Sequence, residues 1–126
     1  MPRQSILTEQ ERAVLLTPPE TRDELIRHYS FSEKDLTVIR QRRGDGNRIG
    51  FATLLCYMRY PGVSLGQDEH PHSTLLEFVA AQLGISTEKW HDYGLRLQTR
   101  REHLLELQAV FGLMLFGTEH YHLSVG

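Results

Sequence analysis

The sequence predicts an all-α fold, and three observations carry that reading. Ser or Thr residues followed three positions later by an acid recur at Thr8…Glu11, Thr21…Glu24, Ser32…Asp35, Thr74…Glu77 and Thr99…Glu102. Such a pair satisfies two backbone donors that a helix N-terminus otherwise leaves orphaned. Apolar residues then follow at spacings of three and four, as in Leu36 and Ile39 or Ile49, Ala52 and Leu55, the repeat of a one-sided helix. Glycine and proline punctuate the chain between these stretches, at Thr17-Pro18-Pro19, Gly44-Asp45-Gly46, Pro61-Gly62, Gly84 and Gly94. No stretch longer than about four residues alternates apolar and polar, so strands are not needed.

The elements follow in order. Thr8 opens a helix over 8–16, which Pro18 and Pro19 end, and the next runs over 20–29 from the Thr21 signal. Ser32 opens 32–42, which stops at Gly44-Asp45-Gly46. Asn47 is placed to cap a fourth helix over 47–60, amphipathic like the one before it and ended by Pro61. The stretch from Pro61 to Pro71 is the one long connection. Thr74 opens 73–83, Gly84 turns the chain, and Ser86 caps a short helix over 86–93. After Gly94 a helix over 98–112 begins basic, with Arg96, Arg100 and Arg101. An eighth starts at Gly117-Thr118-Glu119, and the segment Val110 to Phe116 is apolar enough to call for a partner surface. The expectation is a compact bundle of seven or eight short helices with helix-turn-helix-like units. It forms one region, 1–126, or two helical subunits, 1–62 and 70–126, sharing a core.

With 126 residues, 40% of them hydrophobic, the chain can bury a core without staples. No apolar run approaches the ~18 residues that a membrane span needs. Met1 to Ser5 lack the apolar stretch of a signal peptide. The single cysteine, Cys56, excludes an internal disulfide, suits a reducing cytoplasm and reads as core. A net charge of −2 argues at first against a nucleic-acid partner, but the distribution matters more than the sum. Residues 38–60 set Arg40, Arg42, Arg43, Arg48 and Arg59 against Asp45 alone, and the rest of the chain is net acidic.

Two constellations follow. In Leu76 to Tyr93, Ala80, Gly84 and Trp90 stand where a helix-turn-helix unit needs a small residue, a turn glycine and an apolar plug. Thr87, Glu88, His91 and Asp92 would face outward with Lys89 nearby; the two acids repel phosphate, and a plain helical corner is the bland alternative. In residues 28–62, Arg40, Arg42, Arg43 and Arg48 would cluster round the Gly44-Asp45-Gly46 turn. Guanidinium groups beside exposed helix amides make a phosphate seat. Chemistry is otherwise scarce. His70 and His72, like His120 and His122, stand two apart with no further ligand at a recognised spacing, so no metal site is expected. No catalytic acid pair and no phosphate-binding glycine loop appears, so no enzyme is expected.

The chain resembles the N-terminal region of the Tn-three family of replicative transposases. The resemblance runs from PRQSILTEQER through LIRHYSFSEKDLTVIRQRRGDGNRIGFATLLCYMRYPG and LLEFVAAQLGI to QTRREHLLELQAVFG. Its most specific pieces are Asn47-Arg48-Ile49-Gly50-Phe51-Ala52 with Leu55, Cys56, Arg59, Tyr60, Pro61 and Gly62, and Thr99 to Leu104. Met114-Leu115 departs from the family pattern, which has an arginine and a proline there.

The resemblance implies a DNA-binding region that recognises terminal inverted repeats in a bacterial, nucleoid-associated setting. The catalytic domain and its divalent metal would lie elsewhere in the protein, so no cofactor is expected in this chain. Arg43, Asn47, Arg48, Arg59, Arg100 and Arg101 match the family pattern and are candidates to contact DNA. With Arg40, Arg42, Thr87, Lys89, His91 and Arg96 they make up the expected contact set. Partners would be double-stranded DNA and the remainder of a transposase, with homo-oligomer formation open. The competing readings are a protomer-assembly module and a stand-alone regulator derived from a transposase fragment.

Overall fold

The computed structural model describes residues 9–65, 69–94 and 97–112. Among these, seven α-helices occur and no strand: α1 Glu9–Leu16, α2 Arg22–Tyr29, α3 Glu33–Arg40, α4 Asp45–Arg59, α5 Ser73–Leu83, α6 Trp90–Gly94 and α7 Leu97–Phe111. None is long and apolar enough to cross a membrane. The eighth helix expected near 117 lies outside the described residues, as does Thr8.

Capping explains several boundaries and corrects others. Thr21 accepts from the Glu24 amide at the start of α2, and Ser32 with Asp35 forms a reciprocal box at the start of α3. Asn47 does not cap α4. That helix starts two residues earlier, its N-cap is Gly44 at φ 90°, and Asn47 instead donates from its side-chain amide to the Arg43 carbonyl. Thr74 does not cap α5 either, because the His72 imidazole takes that role, accepting from the Thr74 amide. Thr99 lies inside α7, which opens at Leu97. The helix expected over 86–93 is a 3₁₀ turn, Thr87–Lys89, capped by Ser86 and followed by the single turn of α6.

Helix α4 is the axis. Ten consecutive residues, Ile49 to Met58, are buried, so the helix is covered on every side. Helices α2 and α3 pack on one flank and α5, α6 and α7 on the others. The core therefore runs unbroken from Leu25 and Tyr29 through α4 to Trp90, Tyr93 and Leu107. Full burial of each large side chain contributes about 1.5–3 kcal/mol, so most of the hydrophobic stabilisation passes through this helix. Cys56 belongs to the core, and burial pushes its thiol far above its ordinary range.

Polar ties hold the periphery to this axis. The Tyr57 hydroxyl donates to the Leu16 carbonyl and accepts from the His72 amide, and burial pushes it up to about 12. Gln82 on α5 donates to the Tyr29 carbonyl and accepts from the Phe31 amide, clamping the α2–α3 link. Arg12 on α1 forms an ion pair with Glu69 at 2.7 Å.

His103 on α7 is buried between Tyr93, whose hydroxyl lies 2.9 Å from Nδ1, and the edge of Phe51. Burial first, then the Arg42 charge, lowers its pKa from 6.5 to about 4, while Glu106 and Glu102 oppose the shift. The folded protein thus favours neutral imidazole. Its contribution is complete above pH 6.5 and is lost as the pH falls toward 4, a loss of about 3 kcal/mol. Urea unfolding at pH 7 and pH 4.5 should show this fall for the wild type and a smaller one for His103→Gln. Parallel pH profiles for the two proteins would remove His103 from the account.

Candidate nucleic-acid interface

Two glycines on α4 decide how the Gly84 corner meets the rest of the fold. Gly46 and Gly50 are four apart and share one face of the helix. A Cβ on Gly50 would fall 2.1 Å from the Tyr93 ring, and one on Gly46 would lie 3.3 Å from both the Lys89 carbonyl and the Asp92 Cβ. The notch so formed receives the 3₁₀ turn and α6. On the corner itself Gly84 adopts φ 69° and its amide bonds to the Ala80 carbonyl. Trp90, six residues further on, is buried in the core. The arm after the turn is therefore short and has one side pressed against α4.

The notch brings the Lys89 stretch beside the α3–α4 turn. One groove is lined by Arg43, Gly44, Asp45, Gly46, Asn47, Lys89 and Asp92. An adjoining groove, sharing Asp45, is lined by Ile39, Arg40, Arg48, Leu83, Gly84 and Ile85. Arg40, Arg43 and Lys89 are exposed along this edge. Arg48 is half-buried: its Nε donates to the Arg42 carbonyl and its Nη2 to the Arg40 carbonyl, covering the C-terminal end of α3. It also stands 3.9 Å from Asp45. Four cations and the acids Asp45 and Asp92 thus mark the edge, which stays net positive. The first turn of α4 opens onto it with no side-chain cap.

The other expected contact residues lie elsewhere. Arg42 turns inward, its guanidinium 4.8 Å from the Phe51 ring centroid and paired with Glu106. Arg59 sits eleven residues beyond Arg48, roughly 16 Å along the helix. It makes two 2.8 Å hydrogen bonds to Asp35 and lies over the Phe111 ring. Burial alone would raise the Asp35 carboxyl, but these bonds and the Ser32 amide outweigh it and hold it below its usual value. Arg100 is buried, donates to the Leu65 carbonyl and lies 5.6 Å from the Trp90 ring centroid. Of the expected contact set, Arg42, Arg59 and Arg100 therefore each serve a contact within the fold and do not join the edge. Arg101 and His91 are exposed and Thr87 is half-buried, none of them lining either groove, and Arg96 lies outside the described residues.

Sequence reasoning missed the glycine notch and the burial of His103. The spacing of Gly46 and Gly50 in an otherwise apolar helix was the available signal for the first. Nothing in the local pattern marked the second.

The model of the family described as a domain of unknown function, DUF4158, matches residues 6–125. The chain is 59% identical over 125 residues to the transposase for transposon Tn3926 of Escherichia coli, covering 99% of this chain and 13% of that protein. It is 56% identical to the transposase for transposon Tn21 of Escherichia coli and 46% identical to that for Tn501 of Pseudomonas aeruginosa, with the same coverage. The chain thus spans about an eighth of the length of these relatives. It belongs to the DUF4158 family, in a sequence group shared with transposases of the Tn-three family.

Proposed function

We propose that this chain is a DNA-binding module that recognises terminal inverted repeats for a transposase, and that the chemistry of transposition resides outside it. The similarity to transposases supports the setting. The observation that carries the DNA contact is the exposed positive edge at the start of α4, where Arg40, Arg43, Arg48 and Lys89 meet. On this reading the edge grips phosphates, and the uncapped amides of α4 add to the attraction. The arm over 87–94, a 3₁₀ turn followed by a single helical turn, brings Lys89 to this edge. Phosphate contacts of this kind position a protein and do not by themselves select sequence.

The test compares an inverted-repeat duplex with a scrambled one by fluorescence anisotropy across a salt series. The inverted repeat should bind more tightly. Replacing Arg40, Arg43 and Lys89 together by Ala should weaken binding to both duplexes and flatten the salt slope by about two to three. Equal affinity for the two duplexes would overturn repeat recognition. Overlaying salt titrations for wild type and variant would overturn the edge as the grip.

A further inference from the structure

We propose that His70 and His91 form a binding site for a divalent transition-metal ion of the nickel, copper or zinc kind. They are 21 positions apart in sequence, so no ligand spacing announces them. The fold sets their ring centroids 6.1 Å apart, and both residues are exposed. His70 Nδ1 lies 3.1 Å from the Pro71 carbonyl. A carbonyl only accepts, so Nδ1 carries the proton and Nε2 keeps its lone pair for a metal. Donating one ring N–H to a carbonyl while the other nitrogen ligates is the usual arrangement of metal-binding histidines.

The spacing fits this chemistry. A metal–nitrogen bond of about 2 Å, with roughly 1 Å more to the ring centre, puts each centroid about 3 Å from the ion. Two rings reach one ion from a separation of about 6 Å when nearly opposed, and an inward turn of about 1 Å gives tetrahedral angles. Exposed imidazoles can make that adjustment. Among the described residues no third His, Cys, Asp or Glu joins them. Water therefore completes the coordination, which favours ions that take imidazole readily over calcium or magnesium. The bound ion ties the 69–72 segment to the α6 corner. Neither histidine lines the grooves at the start of α4, so the site is separate from the proposed DNA edge.

Trp90 reports on this site directly. It is the one tryptophan of the chain, it neighbours His91, and its ring lies 6.0 Å from that of His70. Titrating the untagged chain with nickel chloride should quench Trp90 fluorescence saturably, and EDTA should restore it. His70→Gln and His91→Gln should each reduce the apparent affinity at least tenfold. The variant with His72, His120 and His122 all changed to Gln should titrate like wild type. Circular dichroism confirms that each variant is folded. Absence of saturable quenching in the wild type overturns the site, as does unchanged quenching in His70→Gln or His91→Gln.

Discussion

Gly50→Ala unfolds about 3 kcal/mol more easily than the wild type, although alanine is the better helix former. In an open helix the change would stabilise by up to about 1 kcal/mol. Here the new methyl group would meet Tyr93 Cγ at 2.1 Å and two further ring carbons at 2.2 and 2.3 Å. The ring cannot step aside, since its hydroxyl is bonded to His103 and its face lies among Trp90 and His103. Overpacking of a rigid core costs roughly 1–3 kcal/mol or more, and the direct ring contact sets this case at the upper end. Guanidinium chloride unfolding measures the loss. Gly50→Ala combined with Tyr93→Ala should cost less than the two single changes summed, because the clash vanishes with the ring. A Gly50→Ala protein as stable as wild type would mean that the corner does not sit in the notch.

The second large effect is expected at Asp35. Its carboxylate takes two hydrogen bonds from Arg59 and one from the Ser32 amide, while its own side chain is almost fully covered. Asp35→Ala opens the capping box and leaves a half-buried guanidinium without its partner. Removing one member of a buried pair costs about 3–5 kcal/mol, and the partial exposure of Arg59 places the loss near the lower figure. Asp35→Ala with Arg59→Met should recover much of it, since an apolar pair does not strand a charge. A loss below about 1 kcal/mol in Asp35→Ala would show that the bridge is weak. The pair also has a pH signature. With its folded pKa lowered, Asp35 contributes fully above its ordinary value of 3.8, and that contribution is lost as the pH falls further.

The helical plan was legible because its signals are local. Thr21 and Ser32 open helices where their hydroxyls can reach an amide three residues on, and Gly84 ends α5 in the left-handed region. The spacing of Ile49, Ala52 and Leu55 marked α4 as a one-sided helix, whereas burial of ten consecutive residues shows it covered all round, which periodicity alone does not reveal. What local pattern could not carry was competition between partners. Asn47 has the chemistry of a cap, yet the turn places Gly44 at that position and sends the Asn47 amide back to Arg43. The candidate contact residues divided for the same reason. Arg42, Arg43 and Arg48 look alike in sequence, but Glu106 and Phe51 draw the first inward, while the third covers the end of α3 through two carbonyls and still lines the edge. Arg59 and Arg100 find partners 24 and 35 positions away, beyond the reach of any helical periodicity.

The bare strip of α4 at Gly46 and Gly50 also makes a gauge. At Gly46 main chain abuts main chain through the Lys89 carbonyl, so the interval between the Lys89 backbone and the start of α4 does not depend on rotamers. On the proposed reading, a duplex must offer phosphates at that preset interval. Tracts whose groove width already suits it would be preferred without any base being touched.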